Sequence, residues 1–170
     1  MASHTYNGVQ NSNSGSTWTY TNAPIGTADA TRLVVVEISA RGAATSISSV
    51  TIGGNAATLV VGQGSGDGVF IYKLAVAAGT TATVVVNFGA SNTGSIAVYS
   101  LYNLSSHTQS ATMAVASESG TITVQAGGIV IATSHARGKA SIAWTGVDVD
   151  ASAFPGSGHS FASREYVSAA

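Results

Sequence analysis

The apolar residues of this chain fall in short runs with the two-residue period of β-strands. Residues 17–21 alternate between apolar and polar, which predicts a half-buried strand with Trp18 and Tyr20 on the same face. Residues 31–39 contain a continuous run of Leu and Val at 33–36 that is too short for a buried helix, so they predict a central strand. Arg32 and Glu37 flank this run.

Glycine-rich turns separate further runs of the same kind. Residues 50–55 and 56–61 predict a hairpin, because the Gly53-Gly54-Asn55 turn between them can supply positive φ angles. Other strands are predicted at residues 69–74, 82–88, 95–104, 121–125, 128–134, 139–145 and 160–167. Val, Thr, Ser and Gly dominate these runs and disfavour helix. The sequence therefore predicts an all-β fold, an antiparallel β-sandwich of the jelly-roll type with about ten short strands.

The chain has 170 residues, which suits one domain. Its first residues are polar, so we expect a flexible N-terminal segment at residues 1–16 and a single β-sandwich domain at residues 17–170. The glycine-rich stretch at residues 62–68 lacks the Gly-Lys-Ser/Thr ending of a phosphate loop, and it occurs once, unlike the stacked nonapeptides that bind calcium. A mobile hairpin or loop tip is the favoured interpretation.

Charged residues make up only 8% of the chain, against about 25% in an average soluble domain. With a net charge of −1 there is no basic footprint, so neither nucleic acid nor a membrane surface is an expected partner. The N-terminus lacks the apolar stretch of a signal peptide, so release by lysis is the expected route out of a cell. Free monomers usually carry interspersed charge, so the composition favours a subunit held by neighbours, which allows a homo-oligomer.

No catalytic residue, metal ligand or cofactor site is assigned from the sequence, and the chain is not expected to be an enzyme. There is no cysteine, and the G-x-S-x-G elbow of serine hydrolases is missing. Where Ser and His are adjacent, their side chains point to opposite faces of a strand. The four histidines are too far apart in sequence for a local metal motif: His4, His107, His135 and His159.

Two pairs of residues offer alternatives to a purely structural domain. Asp148 and Asp150 would share one face of a strand, as a glycan hydrolase or a calcium site requires, although a solvated strand edge or turn is the favoured interpretation. Trp18 and Trp144 are the candidate ligand-binding residues, since exposed aromatic rings stack on sugars. Core packing is the competing explanation for both tryptophans.

Four segments follow one another in a characteristic order: residues 25–36, 47–54 (ISSVTIGG), 78–88 (AGTTATVVVNF) and 97–104. Together they resemble a recurring β-domain of tailed-bacteriophage structural proteins, and the resemblance covers about residues 17–145. It implies a location in the virion. Because tail fibres usually carry extra shaft sequence, we expect a capsid decoration protein on the outside of the head, with the major capsid protein or other virion proteins as partners. The alternative is a receptor-binding tail-fibre or spike domain that recognises a host glycan.

Overall fold

Ten antiparallel strands form the described part of the protein and confirm the predicted all-β sandwich class. The computed structural model describes residues 1–42, 46–108, 121–137, 142–153 and 157–166. Within these ranges there is no helix, and hence none long and apolar enough to cross a membrane. The strands are β1 (Ser3–Pro24), β2 (Leu33–Gly42), β3 (Ile47–Ile52), β4 (Asn55–Ala56), β5 (Thr58–Ser65), β6 (Asp67–Ala75), β7 (Thr81–Tyr102), β8 (Ile129–Arg137), β9 (Asp148–Ala153) and β10 (Ser157–Glu165).

Two long bent strands, β1 and β7, run through both layers of the sandwich. Residues 17–24 of β1 pair with residues 81–87 of β7, and with β3 and β4 they form the first layer. Residues 3–15 of β1 pair with residues 92–102 of β7, and with β2, β6 and β5 they form the second layer. The two layers are thus one continuous sheet folded over itself at the bends of β1 and β7.

The first core fills the space between these two layers. Side chains alternate along a strand, so β2 sends Val34, Val36 and Ile38 into this core while Leu33 and Val35 point to the opposite face. Both faces of β2 are covered, which is why its sequence is a continuous apolar run. The other buried members of the first core are Trp18, Ala23, Ile25, Ala40, Val50, Ile52, Phe70, Tyr72, Val84, Val86, Phe88, Ile96 and Val98.

A third layer, the sheet β8-β10-β9, covers the outer face of the second layer. Phe161 of β10 is fully buried in a second core against residues of β2, β6 and β7. Ile129, Ile131 and Ala151 of the third layer also pack against this core, and the polar side chains beside it form the candidate site described below.

The polar N-terminal segment differs from the expectation of flexibility, because residues 3–16 belong to β1 and most of them pair with β7. Backbone hydrogen bonds to a neighbouring strand need no apolar side chain, so hydrophobic periodicity does not detect such a segment. Register shifts lie next to Gly8 and Gly15, whose φ angles are +134° and +101°. These irregularities further obscure the two-residue period.

The predicted hairpin after β3 is confirmed at its turn, although its second arm is short. Gly53 and Gly54 have φ angles of +58° and +80°, as a type I′ turn requires, and β3 pairs with β4. The chain then crosses to the second layer, where β5 pairs with β6 instead of β3. The glycine-rich stretch at residues 62–68 lies in this β5–β6 hairpin, with Gly66 at its tip.

Predictions for the last third of the chain were less accurate. Residues 121–125, predicted as a strand, do not form one. The first three residues of the predicted strand at 139–145 lie outside the described ranges, and residues 142–145 are not a strand. For the segment with Asp148 and Asp150 the sequence favours a solvated strand edge or turn, and the structure has the edge strand β9 there. Strands β8 and β10 agree with the sequence within a few residues.

Arg32 fixes the loops at one end of the sandwich. Its side chain is fully buried, and its guanidinium donates to four backbone carbonyls: Nε to Val76 (2.7 Å), Nη1 to Gly26 (3.0 Å) and Thr27 (2.8 Å), and Nη2 to Ala78 (2.7 Å). The planar fork of donors suits this geometry. The charged residue that the sequence placed beside a strand thus holds residues 25–32 against residues 76–78.

Candidate functional site

Trp18 lies in the first core and is 1% exposed. Its ring packs against Phe88 with centroids 4.5 Å apart, and its Nε1 points to the Asn92 carbonyl oxygen at 3.4 Å. A side chain so enclosed cannot stack on a ligand. The expectation that Trp18 binds a sugar is therefore corrected, and the competing explanation of core packing applies.

Trp144 is half-buried in the segment before β9. Its Nε1 donates to Ser160 Oγ of β10 at 2.8 Å, so the indole is tied to the third layer. Trp18, in contrast, belongs to the first core, so the two indole rings lie in different parts of the fold. The two tryptophans do not form one platform.

A chain of hydrogen bonds links the N-terminal strand to the third layer. His4 Nδ1 lies 2.9 Å from Glu165 Oε1, and His4 Nε2 lies 2.7 Å from Ser163 Oγ. Ser163 Oγ donates to Asp150 Oδ2 at 2.6 Å, and the Tyr99 hydroxyl donates to the same oxygen at 2.9 Å. We call these five residues the interlayer network.

Part of the interlayer network has the order of contacts found in a Ser-His-acid triad. In a triad, however, the serine hydroxyl gives its proton to the imidazole. Here the Ser163 hydroxyl donates to Asp150, so it accepts from His4 Nε2, and Ser163 is only 2% exposed. The arrangement therefore joins β1 to β10. The hydrogen bonds from His4 also hold the pKa of Glu165 below its usual range.

Asp150 enters the network because of a β-bulge. In the β9–β10 ladder Ala151 pairs with Phe161 and Val149 with Ala162, so Asp150 is the extra residue between them. A bulge of this kind re-aims a side chain. Asp150 is half-buried whereas Asp148 is exposed, so the two aspartates do not act as a pair. Both aspartates lie on the edge strand β9, as the sequence favours, but only Asp148 is solvated, because Asp150 bonds within the interlayer network.

Glu37 lies beside this network and is completely buried. Among the described residues neither of its carboxyl oxygens has a hydrogen-bond partner. Burial raises the pKa of Glu37 well above its ordinary value, and the charge of Asp150 adds to the rise. The same surroundings raise the pKa of Tyr99, chiefly through burial, and raise that of Tyr6 to about 12. Burial thus favours the uncharged form of the Glu37 carboxyl group.

Two histidines form a second polar group between the layers. His135 of β8 and His159 of β10 are direct cross-strand partners, with ring centroids 4.9 Å apart. Ser39 Oγ lies 2.6 Å from His159 Nδ1, and Asp67 Oδ2 lies 3.4 Å from His135 Nδ1. The pKa of His159 is lowered to about 4, chiefly by burial and also by the charge of His135, while Asp67 opposes the change. Across the described ranges, no three His, Cys, Asp or Glu side chains lie close enough to hold a metal ion.

A cleft of about 400 Å³ opens at the end of the sandwich where β1 begins and β7 ends. Its walls are polar: they include His4 from β1, Thr27 and Asp29 from the loop before β2, and Tyr102 and Asn103 from the end of β7. Ser163 does not line the cleft, so the interlayer network and the cleft meet only at His4.

Local sequence spacing could not reveal these groups. His4 and Glu165 are 161 residues apart, and the buried position of Asp150 depends on one bulge. The sequence offers one signal, since two of the predicted strands each carry a histidine at or next to one end. In the structure these strands pair, and His135 lies opposite His159.

No family model, curated protein or solved structure matched this chain. The similarity to tailed-phage structural proteins stays a prediction, carried by segments such as residues 78–88, most of which form the start of β7. Function is therefore inferred from the residues and their geometry.

Proposed function

We propose that the protein is a non-enzymatic structural component of a phage virion, a decoration protein bound to the outside of the capsid. The observation that carries the proposal is the edge of the second layer. Strand β5 ends the sheet there, and its eight residues include no charged side chain and no proline. Soluble monomers usually protect such edges with charge or proline, because an open edge pairs with other chains.

The distribution of polar groups supports the same proposal. Many of the titratable side chains bind one another between the layers, as His4 does with Glu165 and as Tyr99 does with Asp150. With only 8% charged residues in the chain, the exterior is built mainly from hydroxyl and amide groups. A surface of this kind makes contacts with a neutral, polar partner without long-range repulsion.

A decoration protein stabilises a shell by adding buried interface between capsid subunits. Specific interfaces bury about 1,200–2,000 Å² in total. A protein that binds only the assembled shell stabilises the shell by mass action. The gain grows with the logarithm of the ratio between the free concentration of that protein and its dissociation constant. The folded three-layer stack supplies a rigid body for such contacts, and this role requires no reaction.

The experiment compares the temperature at which capsids release their DNA, using heads purified without this protein and the same heads with purified protein added. We expect a higher release temperature after addition. Leu59→Lys, at a 49% exposed position on β5, is expected to abolish the increase. Val149→Lys is the matched control, since Val149 is 51% exposed on the third layer. An unchanged release temperature with the wild-type protein contradicts the proposal, and loss with Val149→Lys alone moves the contact away from β5.

A further inference from the structure

The cleft at the start of β1 presents a free hydrogen-bond acceptor next to a free donor. Asp29 Oδ1 accepts from both the backbone N–H and the hydroxyl of Thr31, each at 2.6 Å. Asn103 N–H donates to the same Thr31 hydroxyl at 3.0 Å, so Asp29 and Asn103 are held beside one another. Asp29 Oδ2 and Asn103 Nδ2 have no partner among the described residues and remain for a ligand.

The walls of the cleft are fixed before any ligand arrives. Arg32 holds the carbonyl groups of Gly26 and Thr27, and the Tyr102 hydroxyl donates to the Thr27 carbonyl at 3.3 Å. Asn103, whose N–H is held by Thr31, has a φ angle of +53°, which is uncommon for a residue other than glycine. A preformed site loses little conformational entropy on binding.

The lining selects the class of ligand. A carboxylate oxygen accepts hydrogen bonds from hydroxyl groups, and an amide N–H donates to hydroxyl oxygens, so the two together match a pair of adjacent hydroxyls. Thr27 adds a hydroxyl and Tyr102 an aromatic side chain. The hydrogen bonds from Thr31 hold the pKa of Asp29 below its usual range, so the carboxylate is charged at neutral pH and disfavours anionic ligands. A volume of about 400 Å³ suits a ligand of one or two sugar rings.

We propose that this cleft binds a neutral saccharide, with Asp29 and Asn103 recognising two adjacent hydroxyl groups. The site is separate from the β5 edge and from both tryptophans, so it goes beyond a role in capsid contact. On a particle surface it would add adhesion to glycans.

The test is saturation-transfer NMR on the purified chain with methyl glycosides of glucose, galactose, mannose, rhamnose and N-acetylglucosamine. We expect at least one glycoside to receive saturation and to bind with millimolar affinity. Asp29→Asn turns an acceptor into a donor, and Asn103→Gly removes the amide while glycine keeps the positive φ. Each variant is expected to weaken binding at least tenfold, as the loss of a hydrogen bond to a charged or buried group does.

Asn22→Gly is the matched control, because Asn22 has the same φ angle of +53° and lies outside the cleft. It is expected to bind like the wild-type chain. Absence of saturation transfer to every glycoside overturns the proposal, as does wild-type affinity in both cleft variants. Binding that requires added calcium also overturns it, because the proposed contacts are direct. All of these outcomes are independent of whether the chain binds a capsid.

Discussion

Acidification is expected to destabilise the protein because His159 is buried in its neutral form. The pKa of His159 falls from 6.5 to about 4 on folding, and the side chain is 5% exposed. The unfolded chain therefore takes up the proton more readily than the folded one. The contribution of His159 is complete above pH 6.5, is lost progressively as the pH falls to about 4, and changes no further below that value. This fall in the pKa corresponds to a loss of about 3 kcal/mol.

The assay is urea unfolding at a series of pH values between these limits, followed by tryptophan fluorescence. Trp18 reports on the first core, and Trp144 reports on the third layer through its bond to Ser160. The free energy of unfolding is plotted against pH for the wild type and for His159→Gln. Glutamine keeps a group that can bond to Ser39 and removes the titration. We expect a flatter curve for this variant, whatever its stability at neutral pH.

His107→Gln is the control, since His107 is exposed. It is expected to retain the pH dependence of the wild type. Equal slopes for His159→Gln and the wild type would refute the reasoning.

Three further predictions concern buried groups. Arg32→Met leaves four backbone carbonyls without their donor and is expected to cost more than about 4 kcal/mol of unfolding free energy by urea titration, with Arg32→Lys recovering only part of it. Glu37→Met is expected to raise the free energy of unfolding by about 1–3 kcal/mol at neutral pH. The raised pKa of Glu37 favours the folded state only while the acid is protonated, so Glu37 lowers the stability of the wild type as the pH rises through the carboxyl range. The Met variant is expected to lack this contribution. Gly94→Ala is expected to lower the thermal midpoint by several degrees, since a Cβ there would overlap the Ser39 carbonyl and contact Trp18.

The first core could be predicted from the sequence because its strands are built from β-branched residues in recognisable runs. Val34 and Val36 on β2, and Val84 and Val86 on β7, are examples. The residues on the buried faces of these strands are apolar, so a two-residue period or a continuous apolar run marks each strand in the sequence. The polar half of β1 carries no such signal, since its order comes from pairing with β7.

The interlayer groups could not be predicted because they depend on long-range register. Glu37 follows the apolar run of β2, and nothing in the local sequence shows that the third layer covers the face to which its side chain points. Asp150 joins Ser163 only because of the bulge in β9. The alternating pattern predicts the strand that carries Trp18, but it does not show which face is buried, and the burial of Trp18 is the reason it cannot serve as a ligand-binding residue.

Quantifying the protein in purified virions tests the proposed function most directly. Mass spectrometry of intact particles, with separated heads and tails, gives its copy number relative to the major capsid protein. A decoration protein is expected in the head fraction at a copy number comparable with that of the major capsid protein. A few copies confined to the tail, or no copies in the particle, would contradict the account.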